Sequence, residues 1–176
     1  MVALGLAVGD GSTRLDDWFV SAGDAHPGFG RLLIFTEPLV SLAMLLAAVA
    51  AALVQRRRRL AVVVVLTPVV AVIAERMLKR LFGRENEGAL AYPSGHVTVM
   101  VVVLGMVLLV AGARVWMLVA AAVFALLGVV GQALTYHYFT DTVGALFLGT
   151  ALVCLAKPAA GLDRCQPPCD LHHSDG

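Results

Sequence analysis

The chain is predicted to fold as an all-α protein, a polytopic transmembrane helix bundle of about five spans with an N-terminal membrane-edge segment. Three observations predict it. Of 176 residues, 60% are hydrophobic and 14% charged, with a mean hydropathy of +0.87, where a soluble domain carries about 25% charged residues. The apolar residues fall in runs that approach the roughly 20 needed to cross a bilayer. The chemically reactive residues fall at the ends of those runs, in three short clusters.

Met1 to Val8 is apolar but too short to span, has no basic leader and runs into Gly9-Asp10-Gly11, so it is read as a membrane-edge segment and not a signal peptide. The spans are expected at about Leu32–Val54, Leu60–Ile73, Val97–Ala113, Val115–Tyr136 and Thr142–Ala156. The second and fifth are short and should extend into their flanks. This divides the chain into an outer-face segment (1–30), the bundle (31–157) and a polar cytoplasmic tail (158–176) read as disordered. Cys154 is expected in the core of the last span. In the tail, Cys165, Cys169, His172 and His173 are spaced more tightly than ordinary zinc ligands, and no metal site is predicted there. The net charge of +1 and the lack of a basic, aromatic-interleaved patch give no sign of a nucleic-acid partner.

Arg56 to Arg59 form a basic run between the first and second spans, and short Arg- and Lys-rich loops stay in the cytoplasm. Alternation then puts Lys79 through His96, and His137 through Asp141, on the extracytoplasmic face. Arg76, Lys79, Arg80 and Arg84 violate the positive-inside rule there. An anionic ligand would explain them, and so would pairing with Glu75, Glu85 and Glu87 in a solvated loop.

Each cluster carries a definite chemistry. Lys79 and Arg84 supply a point charge and a planar fork suited to phosphate oxygens. Pro93-Ser94-Gly95-His96 opens the third span as a helix start. Its free N–H groups suit an anion, Gly95 allows close backbone approach, the Ser94 hydroxyl can donate, and His96 can protonate a departing alkoxide. A cap with an interfacial histidine accounts for the same four residues. In the third cluster, His137 and Asp141 stand four apart and share a face if that turn is helical. A carboxylate on one imidazole nitrogen fixes the tautomer and raises the basicity of the other. Thr140 or Asp141 could equally cap the fifth span.

With these motifs in this order, the chain resembles the type 2 phosphatidic acid phosphatase superfamily of membrane lipid-phosphate phosphatases, over roughly residues 30 to 157. The resemblance implies that His137 attacks phosphorus to form a phosphohistidine, Asp141 orients it and His96 protonates the leaving group. It implies phosphate binding by Lys79, Arg84, Ser94 and Gly95, with no metal or other cofactor. Two positions depart from the family pattern. Asn86 and Glu87 stand where the first motif places arginine and proline, and Val130 and Gly131 where the third places Ser-Arg. Arg84 stands in at the first motif, and at the third a phosphate-binding cation is either missing or replaced by Arg80 or Arg76.

The function expected is hydrolysis of a membrane lipid phosphate at the outer face of the cell membrane. Polyprenyl phosphate or diphosphate is the favoured substrate, with phosphatidic acid and phosphatidylglycerol phosphate as others. A lipid-phosphate binder without catalysis is the first alternative. A small transporter relaying protons through His96, His137 and Asp141 is the second, in which Glu37 beside Pro38 would pair with Lys79 or Arg76. Small residues along the spans, such as Gly105, Gly128 and Gly144, permit close helix packing within one chain or between copies in an oligomer.

Overall fold

A computed structural model describes residues 2–9, 11–86 and 88–162. Seven α-helices dominate these residues: α1 (Val2–Val8), α2 (Arg14–Ala25), α3 (Pro38–Val54), α4 (Arg58–Phe82), α5 (Gly95–Ala111), α6 (Val115–Ala133) and α7 (Phe139–Ala159). A 3-10 segment, Pro27–Thr36, leads into α3, and a short antiparallel ribbon of β1 (Glu85–Asn86) and β2 (Ala89–Leu90) joins α4 to α5. The protein is therefore an all-α membrane bundle. Pro27–Val54, α4, α6 and α7 are long and apolar enough to cross a bilayer, while α5 is a shorter apolar helix of 17 residues.

Helix α5 is the centre of the bundle and packs on α3, α4, α6 and α7. Val97, Val102 and Met106 of α5 are wholly buried. Small residues let its neighbours come close: a Cβ at Gly105 would meet Val153 of α7 at 2.3 Å, and one at Gly128 of α6 would meet Met100 at 2.4 Å. The outward faces are apolar as well, with Leu39, Leu46, Leu66, Trp116, Leu126 and Leu155 all exposed. Such a surface is stable against lipid and not against water, so the bilayer is a partner of this chain.

Several boundaries differ from expectation for local reasons. The first span is not one α-helix: Glu37, ahead of Pro38, takes an extended conformation (φ −60°, ψ 128°) that separates the 3-10 segment from α3, as residues before proline do. Glu37 itself is exposed and makes no ion pair among the described residues. Helix α4 runs nine residues past Ile73, because Glu75 and Lys79 pair one turn apart and keep the polar end helical. Helix α7 reaches Ala159, beyond the expected end of the bundle at 157. Cys154 lies on its exposed face and not in the core. Cys165, Cys169, His172, His173 and most of the tail lie outside the described residues.

The N-terminal segment is more ordered than a membrane-edge stub. Thr13 caps α2 through a reciprocal capping box with Asp16. Helix α2 packs on α6 and α7, its Phe19 ring stacked on Phe139 at 4.5 Å. Gly23 makes this approach possible, since a Cβ there would stand 1.9 Å from the carbonyl oxygen of Leu134.

Candidate active site at one end of the bundle

The basic run and the reactive clusters occupy opposite ends of the bundle. At one end, Arg59 donates through Nε to the carbonyl of Ala159 at the end of α7 (2.7 Å). At the other, the end of α4, the start of α5 and the α6–α7 turn converge.

Each segment is aimed by its backbone. Helix α4 stops at Gly83, which adopts the left-handed conformation (φ 63°) of a C-terminal cap and donates its N–H to Lys79. That turn sends Arg84 away from the face that carries Lys79. The Ser94 N–H donates to the carbonyl of Asp141 (3.2 Å), which ties the start of α5 to the first turn of α7. At the end of α6, the N–H groups of Thr135, Tyr136 and His137 all converge on the carbonyl of Gln132. The Gln132 side chain is itself anchored on the Thr36 hydroxyl (2.7 Å). His137 therefore projects from a tight turn just ahead of α7. The N-cap of α7 is Tyr138, which offers no side-chain cap, so Thr140 and Asp141 lie inside the helix instead of capping it.

The residues expected to act together separate into two groups. Lys79, Gly95, His96 and His137 line one cavity of about 710 Å3. Its other walls are Thr36, then Pro38, Ser41, Leu42 and Leu45 of α3, Pro68, Val72, Glu75 and Arg76 of α4, and Val99 and Val103 of α5. A volume of that order holds a ligand of several hundred Å3. Within it, Lys79 Nζ is paired with Glu75 Oε1 at 2.8 Å. This is the pairing expected of a solvated loop, yet it faces the cavity. Of the two candidate substitute cations, Arg76 lines the cavity, whereas Arg80 is exposed and not part of the lining.

Arg84, Ser94 and Asp141 lie behind this cavity, fully buried. Arg84 does not face the cleft, and its role as a phosphate ligand is not what its contacts show. Its Nη1 donates to Asp141 Oδ1 (2.6 Å) and Thr140 Oγ1 (2.8 Å). Its Nη2 donates to the Gly11 carbonyl (2.8 Å) and Asp16 Oδ2 (3.2 Å). The guanidinium also lies 4.6 Å from the Tyr138 ring centroid. The reason is electrostatic: a buried guanidinium needs carboxylates, and two are present. Ser94 is likewise wholly buried and lines no part of the cavity, and its backbone N–H is taken by Asp141.

Asp16 is the functional residue that motif reading missed. It is wholly buried and its Oδ1 accepts the Thr140 N–H at 2.9 Å, so it caps α7 from another helix. Burial pushes the Asp16 carboxyl up, but hydrogen bonds from the Thr140 and Thr13 N–H groups and hydroxyls outweigh it and hold the pKa below its ordinary value. The pattern Thr13-x-x-Asp16 marks a helix start in the sequence; nothing local reveals its partners on Arg84 and Thr140.

His137 joins the two groups. Its Nδ1 stands 3.9 Å from Asp141 Oδ2, and neither atom has a hydrogen-bond partner. Arg84 occupies Oδ1, leaving Oδ2 as the oxygen turned to the imidazole. The gap exceeds a hydrogen bond, and an approach of about 1 Å closes it, as catalytic pairs often do on binding substrate. Burial, followed by the nearby charges of Lys79 and His96, pulls the His137 pKa down to about 4. The ring is therefore neutral at ordinary pH, with a lone pair free for attack.

Comparison of the chain with protein-family models, curated proteins and solved structures finds no match.

Proposed function

We propose that the chain is a metal-independent phosphohydrolase acting on a membrane lipid phosphate at the extracytoplasmic face of the cell membrane. Neutral His137 attacks phosphorus, the bond to the lipid oxygen breaks, and His96 delivers a proton to that oxygen. Water, deprotonated by His96, then cleaves the phosphohistidine and releases phosphate. Asp141 holds the attacking ring and stabilises its positive charge as the P–N bond forms. Lys79, Arg76 and the Gly95 backbone neutralise the phosphoryl oxygens. Arg84 acts behind Asp141.

One observation carries this reading: His137, His96 and Lys79, from three separate segments, border one cavity whose remaining walls are mostly apolar. A head group at the polar end and a hydrocarbon tail against α3, α4 and α5 fit that division. Polyprenyl phosphate or diphosphate is the substrate we favour, with phosphatidic acid and phosphatidylglycerol phosphate as the other members of the class. A second reading, a lipid-phosphate binder without turnover, draws on the open 3.9 Å gap between His137 and Asp141.

Phosphate release from these lipids, in detergent with a chelator present, separates the two. The hydrolase reading expects turnover by the wild type, inhibition by vanadate and none by His137→Ala. Binding of the lipids with no release by the wild type would favour the second reading, and turnover that survives His137→Ala would remove the covalent mechanism.

A further inference from the structure

The cleft contains a charge that this mechanism leaves unused. Glu75 is buried on α4, one turn before Lys79, and accepts from its ammonium at 2.8 Å. The carboxylate also lies against the first residue of α5. A Cβ built on Gly95 would stand 3.0 Å from Glu75 Oε1 and 3.2 Å from its carboxyl carbon. Arg76, His96 and His137 border the same space. A carboxylate placed on a lysine and beside a helix start takes the contacts that a phosphate group would take.

We propose that Glu75 is an internal anion seated in the phosphate subsite, which a ligand must displace from Lys79 and Gly95 to reach His137. The identity of the incoming group as phosphate rests on the phosphohydrolase reading; the occupancy of the subsite by Glu75 does not. Lys79 has three donors, enough by number to hold both anions. Two anions within about 4 Å repel strongly where water is scarce, and Glu75 already takes the place against Gly95.

The consequence is release of product. Displacing Glu75 burdens every phosphate-bearing ligand alike, including orthophosphate, the hydrolysis product. A lipid offsets the burden by burying its tail against Leu42, Leu45, Val72, Val99 and Val103. Orthophosphate has no tail and leaves. Glu75 thus lowers the affinity of every phosphate-bearing ligand by the same amount, so that a tailed ligand still binds while free product does not hold the site. A Glu75 that only anchors Lys79 predicts the opposite behaviour on mutation.

The test is calorimetric titration of orthophosphate and orthovanadate into the purified full chain in detergent, as wild type and as Glu75→Gln, with thermal unfolding as the folding control. Removing the competing charge while keeping the shape is expected to tighten binding about 10- to 100-fold, the equivalent of one freed charge-assisted contact. If the Gln variant does not fold, Glu75→Asp, which withdraws the carboxylate by one methylene, is titrated in its place and is expected to gain less in the same direction. Binding that is measurable but unchanged or weaker in the folded variant overturns the role of Glu75 and leaves the phosphate reading standing. No binding of either anion to any of the proteins overturns the phosphate reading, and the proposal with it.

Discussion

Lys79 and Arg84 lie on either side of Gly83, and the chain employs them in opposite ways. Lys79 stays on the face of α4, partly exposed, with a single carboxylate partner, at the mouth of a cavity. Arg84 is turned inward to two aspartates, a threonine and a backbone carbonyl, at 2% exposure. The same contrast extends to their neighbours. On the cavity side His96 is exposed and His137 Nδ1 is without a hydrogen-bond partner. On the other side Asp16 and Thr140 are saturated with hydrogen bonds. Saturated polar groups in the interior fix geometry, while lightly partnered ones at a cavity remain available to a ligand. Two similar cations thus divide into one left available at a cavity and one locked into a buried polar cluster.

Mutations sharpen or break this comparison, and on the scale of stability the scaffold side should dominate. Arg84→Ala strands two buried carboxylates and should cost about 3–5 kcal/mol, read as a large fall in the unfolding midpoint in detergent; a change too small to measure would mean the cluster is not the scaffold described. Asp16→Asn removes the charge beside Arg84 and weakens the cap on α7, at about 1.5–3 kcal/mol by the same measurement. Gly23→Ala forces α2 off the Leu134 carbonyl and should cost about 1–3 kcal/mol; unchanged stability would show that α2 does not sit where its contacts put it. On the cavity side the order reverses. His137→Ala removes a mostly buried side chain whose Nδ1 makes no hydrogen bond, so it should cost clearly less stability than Arg84→Ala while abolishing phosphate release. A variant that unfolds would place His137 with the scaffold.

A further effect is one of pH. His137 has a pKa near 4 in the folded chain and an ordinary value of 6.5, so between these values the unfolded chain binds the extra proton. Its contribution to stability is therefore complete above about pH 6.5 and is lost as pH falls towards 4. The slope of stability against pH in that window should be shallower in His137→Ala. Equal slopes would mean that the ring titrates normally.

Much of this arrangement was legible in the sequence, and the remainder was hidden for a definable reason. Hydropathy reports a quantity summed along the chain, so the apolar helices followed from composition. The convergence of Lys79, His96 and His137 followed from alternation of spans, because segment ends on one side must meet. Which face a residue takes after a helix stops was not legible. Helix α4 ends at Gly83, but the direction of Arg84 depends on Asp16 and Asp141, 68 and 57 residues away. Asp16 capping Thr140 across 124 residues is of the same kind. Glu75 looked like a partner in a solvated loop because its spacing to Lys79 says nothing about Gly95. Long-range polar pairing leaves no periodic trace.

The central claim is that His137 carries the phosphoryl group. It is tested most directly by rapid quench of the purified chain with a lipid phosphate, followed by mass spectrometry for an acid-labile phosphoryl adduct. The account predicts the adduct on His137 and its absence from His137→Ala. Phosphate release by a protein in which no such adduct forms on His137 would contradict it.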